Sequence, residues 1–222
     1  MAPKTRFLIL VPDGAADHAL DELDGQTPLQ AARTPHMDRL AAGGKGGLVQ
    51  MIPPSRPPGS DVGNLEIFGY DTTQYYTGRA PLEAASMGLN MGPEDIAFRC
   101  NLVYSEGDTL VDYSAGHIET EEGRILVEQV GAALGTEAIR FFPGVGYRHI
   151  MVFRGGPERL VSYPPHDIMG QSANAHLPTG EGVEIIHDLM ERAKPILAAA
   201  PTNLERSNRG ERPANGIWLW GE

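Results

Sequence analysis

The stretch RFLILVPDGAAD, Arg6 to Asp17, runs five apolar residues, Phe7 to Val11, into Pro-Asp-Gly, and its reading decides the fold class. A short continuous apolar run closed by turn residues is the pattern of a parallel strand buried on both faces that delivers a loop at its carboxyl end. Asp13 then stands at the strand tip. Thr27-Pro28 and Thr34-Pro35 each pair an N-cap residue with proline at the first helical position. Leu29, Met37 and Leu40 supply apolar positions, and Gly43-Gly44 stops the helix. Gly47 to Ile52 reads as the next strand, so the succession is strand, helix, strand, which places functional groups at one edge of an α/β layer.

A second stretch, PPGSDVGNLEIFGYD, Pro57 to Asp71, closes a proline-rich loop and opens an amphipathic helix at Ser60. From about Asp95 strands outnumber helices. Ile96 to Tyr104, Thr109 to Tyr113, Ala138 to Phe142, Tyr147 to Arg154, Arg159 to Ser162 and Gly216 to Trp220 read as strands. Thr120 to Leu134 and Gly182 to about Ala199 read as helices, the second kinked or ended by Pro195. The expected architecture is α/β with an inserted or appended α+β unit, divided near Gly88 to Pro93.

With 222 residues and 41% hydrophobic content the chain can bury one sizeable core or two modest ones. Its net charge of -11 argues against a nucleic-acid partner, though a local arginine cluster could hold a small anion. Cys100 is the only cysteine, which excludes an intrachain disulfide and a cysteine zinc cluster and fits a reducing compartment, hence the cytoplasm. Phe7 to Val11 is too short for a signal-peptide core, and no later apolar run approaches the roughly 20 residues needed to span a bilayer. Neither membrane nor export function is expected.

A strand-end aspartate beside a serine at a helix start is how α/β folds assemble a metal-activated nucleophile that accepts a phosphoryl group. Each residue alone also has a plain structural reading, Asp13 as a turn residue and Ser60 as an N-cap. Asp61 reads as support for the helix dipole rather than as a metal ligand. AAGGKGG lacks the spacing and the hydroxyl residue of a nucleotide-binding P-loop and reads as a helix stop. Trp218 and Trp220 alternate as strand residues do, with core or interdomain packing as their default role.

The succession DGAAD, GQTPLQAARTPHMDRLAAGGKGG, PPGSDVGNLEIFGYD, YYTGRAPLEAASMG, AFRCNLV, DYSAGHI with Glu121-Glu122, FFPGVGYRHI, PPHDI and WLWG closely resembles the archaeal-type cofactor-independent (2,3-bisphosphoglycerate-independent) phosphoglycerate mutases of the alkaline phosphatase superfamily. The resemblance runs nearly end to end and in order. It implies a partial alkaline-phosphatase-like parallel-sheet layer with an inserted α+β domain. Residues 1–92 would be the first part of the metal and nucleophile domain, 93–212 the substrate-binding insert, and 213–222 a strand returning to the first domain. It further implies two divalent metal ions, manganese, magnesium or zinc, with no bisphosphoglycerate and no nucleotide. Asp13 and Ser60 would be metal ligands, and Ser60 the nucleophile carrying phosphate between the glycerate hydroxyls.

Family members are much longer and carry further aspartates and histidines after the segment matching WLWG. The chain is therefore expected to be a fragment whose isolated activity is in question. An incomplete sheet would also favour self-association. For the substrate, a carboxylate and phosphate favour arginine, whose planar fork binds two oxygens at once. The candidates are Arg79, Arg99, Asn101, His117, Arg148, His149, His166 and Asp167. Taken without the resemblance, Arg99 reads equally as a solvent-facing charge, Arg79 as a loop cap, and His149 and His166 as hydrogen-bonded structural histidines. The expected function is interconversion of 3-phosphoglycerate and 2-phosphoglycerate through a phosphoserine. The alternatives are a homoserine kinase-like phosphotransferase and a non-catalytic phosphoglycerate-binding module.

Overall fold

The computed structural model describes residues 5–12, 14–56 and 58–222. Asp13 and Pro57 lie outside the described residues. The chain divides into two compact units, Met1–Met51 and Ile52–Glu222.

In the first unit the helical signals hold. Helix α1, Pro28–Ala31, starts at its proline under a reciprocal cap: the Thr27 hydroxyl accepts the Gln30 N–H at 3.2 Å, and the Gln30 side chain accepts the Thr27 N–H at 2.9 Å. Helix α2, Pro35–Gly43, ends at the expected glycines. The two expected strands are not formed. Residues 6–12 and 47–50 carry no strand among the described residues, and Phe7, Leu8, Leu48 and Val49 are exposed. A parallel strand buried on both faces is held by ladders to its neighbours and by helices above and below, and among the described residues no strand ladder includes either run.

The second unit opens with three short helices, α3 Ser60–Ile67, α4 Thr72–Tyr75 and α5 Arg79–Ser86. It continues with β1 Asp95–Glu106, β2 Thr109–Asp112, α6 Thr120–Leu134, β3 Ile139–Val145 and β4 Arg148–Arg154. It closes with α7 Glu184–Ala198, α8 Pro201–Asn208 and β5 Gly216–Trp220. All strand pairs are antiparallel. The twelve-residue β1 is the centre: β4 covers one edge, with β3 beyond it, while β5 and then β2 cover the other. The class is α/β, and its formed sheet is the α+β one. Arg159 to Ser162 contributes only an isolated bridge, Val161 to Thr179. Pro195 does not end α7, which runs on to Ala198.

Successive side chains on a strand point to opposite faces, and β1 uses both. Phe98, Cys100 and Leu102 are buried in the main core with α6 and α7. α6 contributes Leu126, Val127, Val130 and Leu134, and α7 contributes Ile186, Leu189, Met190, Ala193 and Leu197, the spacing of a single apolar helix stripe. Each such buried leucine or isoleucine is worth about 1.5–3 kcal/mol. Ala97, one residue along, belongs to a smaller cluster with Ala80 and Ala84 of α5 and with Ile150 and Val152 of β4. α5 thus sits across the sheet from α6 and α7. Its proline, Pro81, lies in the first turn, where backbone N–H groups have no helical partner to lose.

The end of β5 is tied to the start of α5. The Ala80 N–H donates to the Gly221 carbonyl at 2.7 Å, and a Cβ on Gly78 would stand 2.0 Å from the Glu222 carbonyl oxygen. Glycine is therefore required at position 78, and this contact puts Arg79 and Glu83 of α5 beside Trp220 of β5.

Candidate active site

Ser60 is the first residue of α3, preceded by Gly59 in extended conformation, and it is exposed. Its helix is held from several sides. Val62 is buried, the Tyr76 hydroxyl donates to Asp61 Oδ2 at 2.5 Å, and Glu66 Oε1 accepts both the N–H and the hydroxyl of Thr72, at 2.9 and 2.6 Å. Burial, reinforced by the Asp61 carboxylate, holds the Tyr76 phenol above its ordinary range, so it stays a donor. Asp61 lies in the first turn of α3. A serine at such an amino terminus has backbone N–H groups and the positive dipole end at hand to receive a phosphoryl oxygen.

The second locus is the sheet face shared by β1, β4 and β5. Arg99 pairs in register with Trp220 and with Ile150, and Asn101 with Trp218 and Arg148. Arg99 is 4% exposed, its guanidinium carbon lies 4.4 Å from the Trp220 ring centroid, and its Nε donates to Glu83 Oε2 at 3.0 Å. Among the described residues neither terminal nitrogen of Arg99 engages a protein acceptor. Arg79 Nε stands 3.8 Å from the other Glu83 oxygen. The Trp220 indole N–H donates to Asn101 Oδ1 at 3.1 Å, and Asn101 Nδ2 approaches the Tyr113 carbonyl at 3.4 Å.

Aromatic rings close the group. His166 meets Trp220 and Tyr113 edge-on, each at 5.9 Å, Tyr113 meets Tyr147 at 5.3 Å, and the Arg148 guanidinium lies 5.5 Å from the Tyr147 ring. Burial lowers the Arg99 pKa, opposed by the Glu83 carboxylate. Burial also lowers that of His166; Asp167, 3.7 Å away, pulls it up, and Arg79 and Arg99 push it further down. The imidazole is therefore biased to its neutral form. Burial raises the Tyr147 phenol, which keeps its proton. Two arginines against one carboxylate, beside neutral donors, make a locus suited to an oxyanion.

The structure thus brings Arg79, Arg99, Asn101, Arg148, His166 and Asp167 to one face. His149 does not join them. It pairs with Cys100 and faces α6, where a Cβ on Gly123 would lie 3.3 Å from its Cε1. Its Nδ1 accepts the Gly144 N–H at 3.0 Å, its Nε2 is buried with no partner among the described residues, and burial lowers its pKa to about 4. His117 is exposed in a turn where Ala115, Gly116 and His117 all have positive φ, at 50, 71 and 51°. Asp112 accepts the N–H groups of Ser114 and Gly116, Ser114 Oγ accepts that of His117, and buried Arg206 donates to the Ala115 carbonyl. A cavity of about 790 Å³ lined by Pro81, Leu89, Met91, Ile96 and Leu160 opens beside α5, and no sequence-predicted site residue lines it.

Glu83, Tyr113, Tyr147 and Trp220 were not singled out by sequence as site residues. The Arg79–Glu83 spacing of four in GRAPLEA was a legible signal for the first; the others depend on strand register. For the metals, no group of three or more His, Cys, Asp or Glu side chains among the described residues could hold an ion. Ser60 does not fill two metal sites, and no chemical step is derived through them.

A buried arginine over a tryptophan ring on the face of an antiparallel sheet, in a chain that also presents a serine at a helix start, defines an α/β protein with a candidate oxyanion site. The family model of the 2,3-bisphosphoglycerate-independent phosphoglycerate mutases matches residues 41–203, and the chain belongs to that family. Over 220 residues it is 52% identical to a Geobacter sulfurreducens protein named "Probable 2,3-bisphosphoglycerate-independent phosphoglycerate mutase", covering 97% of this chain and 55% of the relative. It is 48% identical to the 2,3-bisphosphoglycerate-independent phosphoglycerate mutase of Methanosarcina mazei, covering 98% of this chain and 55% of that one. Among solved structures, the cofactor-independent phosphoglycerate mutase of Thermoplasma acidophilum superposes with a TM-score of 0.57 at 29% identity, over 94% of this chain and 56% of that one. A Pyrococcus horikoshii protein gives 0.66 at 31%, over 94% and 49%. The chain spans about half the length of the curated relatives it matches.

Proposed function

We propose that this chain carries the nucleophile and the substrate-holding part of a phosphoglycerate mutase that interconverts 3-phosphoglycerate and 2-phosphoglycerate through a phosphoserine at Ser60. The observation that carries this reading is Arg99: a buried guanidinium, placed over the Trp220 ring and pinned at Nε, with its terminal nitrogens unengaged by protein among the described residues. Such a fork receives two oxygens of a carboxylate or phosphate at once. Arg79 adds charge, Arg148 and Asn101 border the same face, and His166, biased to neutral, can carry a proton at a glycerate hydroxyl. The α3 amino terminus receives the phosphoryl oxygens at Ser60. Holding the free glycerate out of water favours its reorientation over loss to hydrolysis.

Two divalent cations, manganese, magnesium or zinc, with Asp13 and Ser60 among their ligands, would supply the Lewis acidity that lowers the serine pKa. Residues 1–92 belong in this reading to the metal and nucleophile domain, and 93–212 to the insert. The 213–222 segment leads back, which the Gly221 to Ala80 hydrogen bond supports. His117 and His149 contribute through the turn and hairpin that hold them. A cytoplasmic location accords with the buried, lone Cys100, whose thiol burial pushes up to about 12. Among the described residues no helix is long and apolar enough to cross a membrane.

A coupled assay for 2-phosphoglycerate with added manganese tests the reading on this chain and on its Ser60→Ala variant. Any turnover is expected to be lost in Ser60→Ala. Turnover that survives the substitution rules out the phosphoserine route. Because the chain spans half of its relatives, phosphoglycerate binding without turnover would instead mark these residues as the binding part alone.

A further inference from the structure

We propose that Trp220 is a positioning residue of the anion site: its indole fixes the plane of the Arg99 guanidinium and the orientation of Asn101, and so aims the free edge of Arg99 at an oxyanion. This rests on the phosphoglycerate reading and deepens it by naming what gives the arginine its direction.

Three contacts converge on this one ring. The Arg99 guanidinium carbon lies over it, 4.4 Å from the ring centroid, its N–H donates to Asn101 Oδ1 at 3.1 Å, and it meets the His166 ring edge-to-face with centroids 5.9 Å apart. Trp220 is 5% exposed, and the Arg99 guanidinium already covers a face of its ring. An arginine side chain samples many rotamers in solvent, and the face of an aromatic ring removes most of them without occupying an N–H. Glu83 takes Nε, the indole takes the face, and the terminal nitrogens are what remain. Sheet register enforces the pairing, because Arg99 and Trp220 stand directly opposite on β1 and β5. Immediately after Trp220 the chain leaves the strand at Gly221, φ 73°, whose carbonyl receives the Ala80 N–H, so the ring is also tied to the helix that carries Glu83. Asn101 is held from the same side: with its Oδ1 engaged by the indole, its Nδ2 is turned to the Tyr113 carbonyl. Trp218, two residues earlier and equally buried, sends its N–H to the Tyr163 carbonyl instead, and it serves as the control.

The test is titration of the 222-residue chain with 3-phosphoglycerate, followed by calorimetry, for the wild type and for Trp220→Phe, Trp220→Leu and Trp218→Phe, with circular dichroism to verify folding. Trp220→Phe keeps a ring under Arg99 and is expected to weaken binding by about threefold, whereas Trp220→Leu weakens it by about tenfold or more. Trp218→Phe is expected to bind as the wild type does. Trp220→Leu binding as tightly as a binding-competent wild type overturns the positioning role alone. Equal weakening by Trp218→Phe and Trp220→Leu overturns it too, as general core damage. Failure of the wild type to bind overturns the phosphoglycerate reading and this inference with it. If Trp220→Leu does not fold, Trp220 emission decides, since it is the sole tryptophan of the Trp218→Phe chain. A saturable change with phosphoglycerate that Arg99→Leu abolishes is expected, and unchanged emission at saturation overturns the role.

Discussion

Histidine 149 stands 1% exposed on the helix-covered face of β4, with its Nδ1 accepting the Gly144 N–H. Burial takes its pKa from 6.5 to about 4. The unfolded chain therefore binds a proton from about pH 6.5 downward and the folded chain does not until about pH 4. Stability from this residue is fully present above pH 6.5 and is lost as the pH falls toward 4, by about 3 kcal/mol in all. Urea unfolding across that range, compared with His149→Gln, is expected to show the loss in the wild type and a flatter profile in the variant. The sequence left His149 between a structural and a ligand role because strand alternation alone does not say which face is covered. Arg99 was ambiguous for a related reason. Its tryptophan platform arrives only with β5, and Asn101 and Trp220 are 119 residues apart. Ser60, by contrast, was legible, because a glycine, a serine and an amphipathic run specify a helix start locally.

At the scale of elements, the helices and strands with strong local periodicity lie where their residues place them: α6 spans Thr120–Leu134, and β5 spans Gly216–Trp220. α5 and α8 were not marked, since Arg79–Ser86 and Pro201–Asn208 are each about two turns long and carry few large apolar residues. The contact between α6 and the β3–β4 hairpin is close enough to test. A Cβ on Gly123 would stand 2.3 Å from the Gly146 carbonyl oxygen. Gly123→Ala is expected to force the hairpin away from α6 and to cost about 2 kcal/mol, read as a lowered urea midpoint. The same hairpin carries Tyr147 and Arg148, so phosphoglycerate affinity falls along with stability.

For the whole molecule, the antiparallel α+β layer closes on its own core. The runs expected as parallel strands in the first unit leave Phe7, Leu8, Leu48 and Val49 exposed. The expected strands at Arg6 to Pro12 and Gly47 to Ile52 are not formed among the described residues, because a buried parallel strand requires partners and covering helices that local pattern does not supply. Exposed apolar segments of this kind favour association. Light scattering over a concentration series is expected to show the chain self-associating, with Leu8→Lys and Leu48→Lys together shifting it toward monomer; a monomer at all concentrations would remove this expectation. The account as a whole turns on whether the Arg99 face holds phosphoglycerate. Calorimetric titration of the 222-residue chain with 3-phosphoglycerate, beside the same titration of Arg99→Leu, measures this directly. Saturable binding that weakens at least about tenfold in Arg99→Leu, roughly 1.4 kcal/mol, is the predicted result. No saturable binding, or equal binding by both chains, would contradict it.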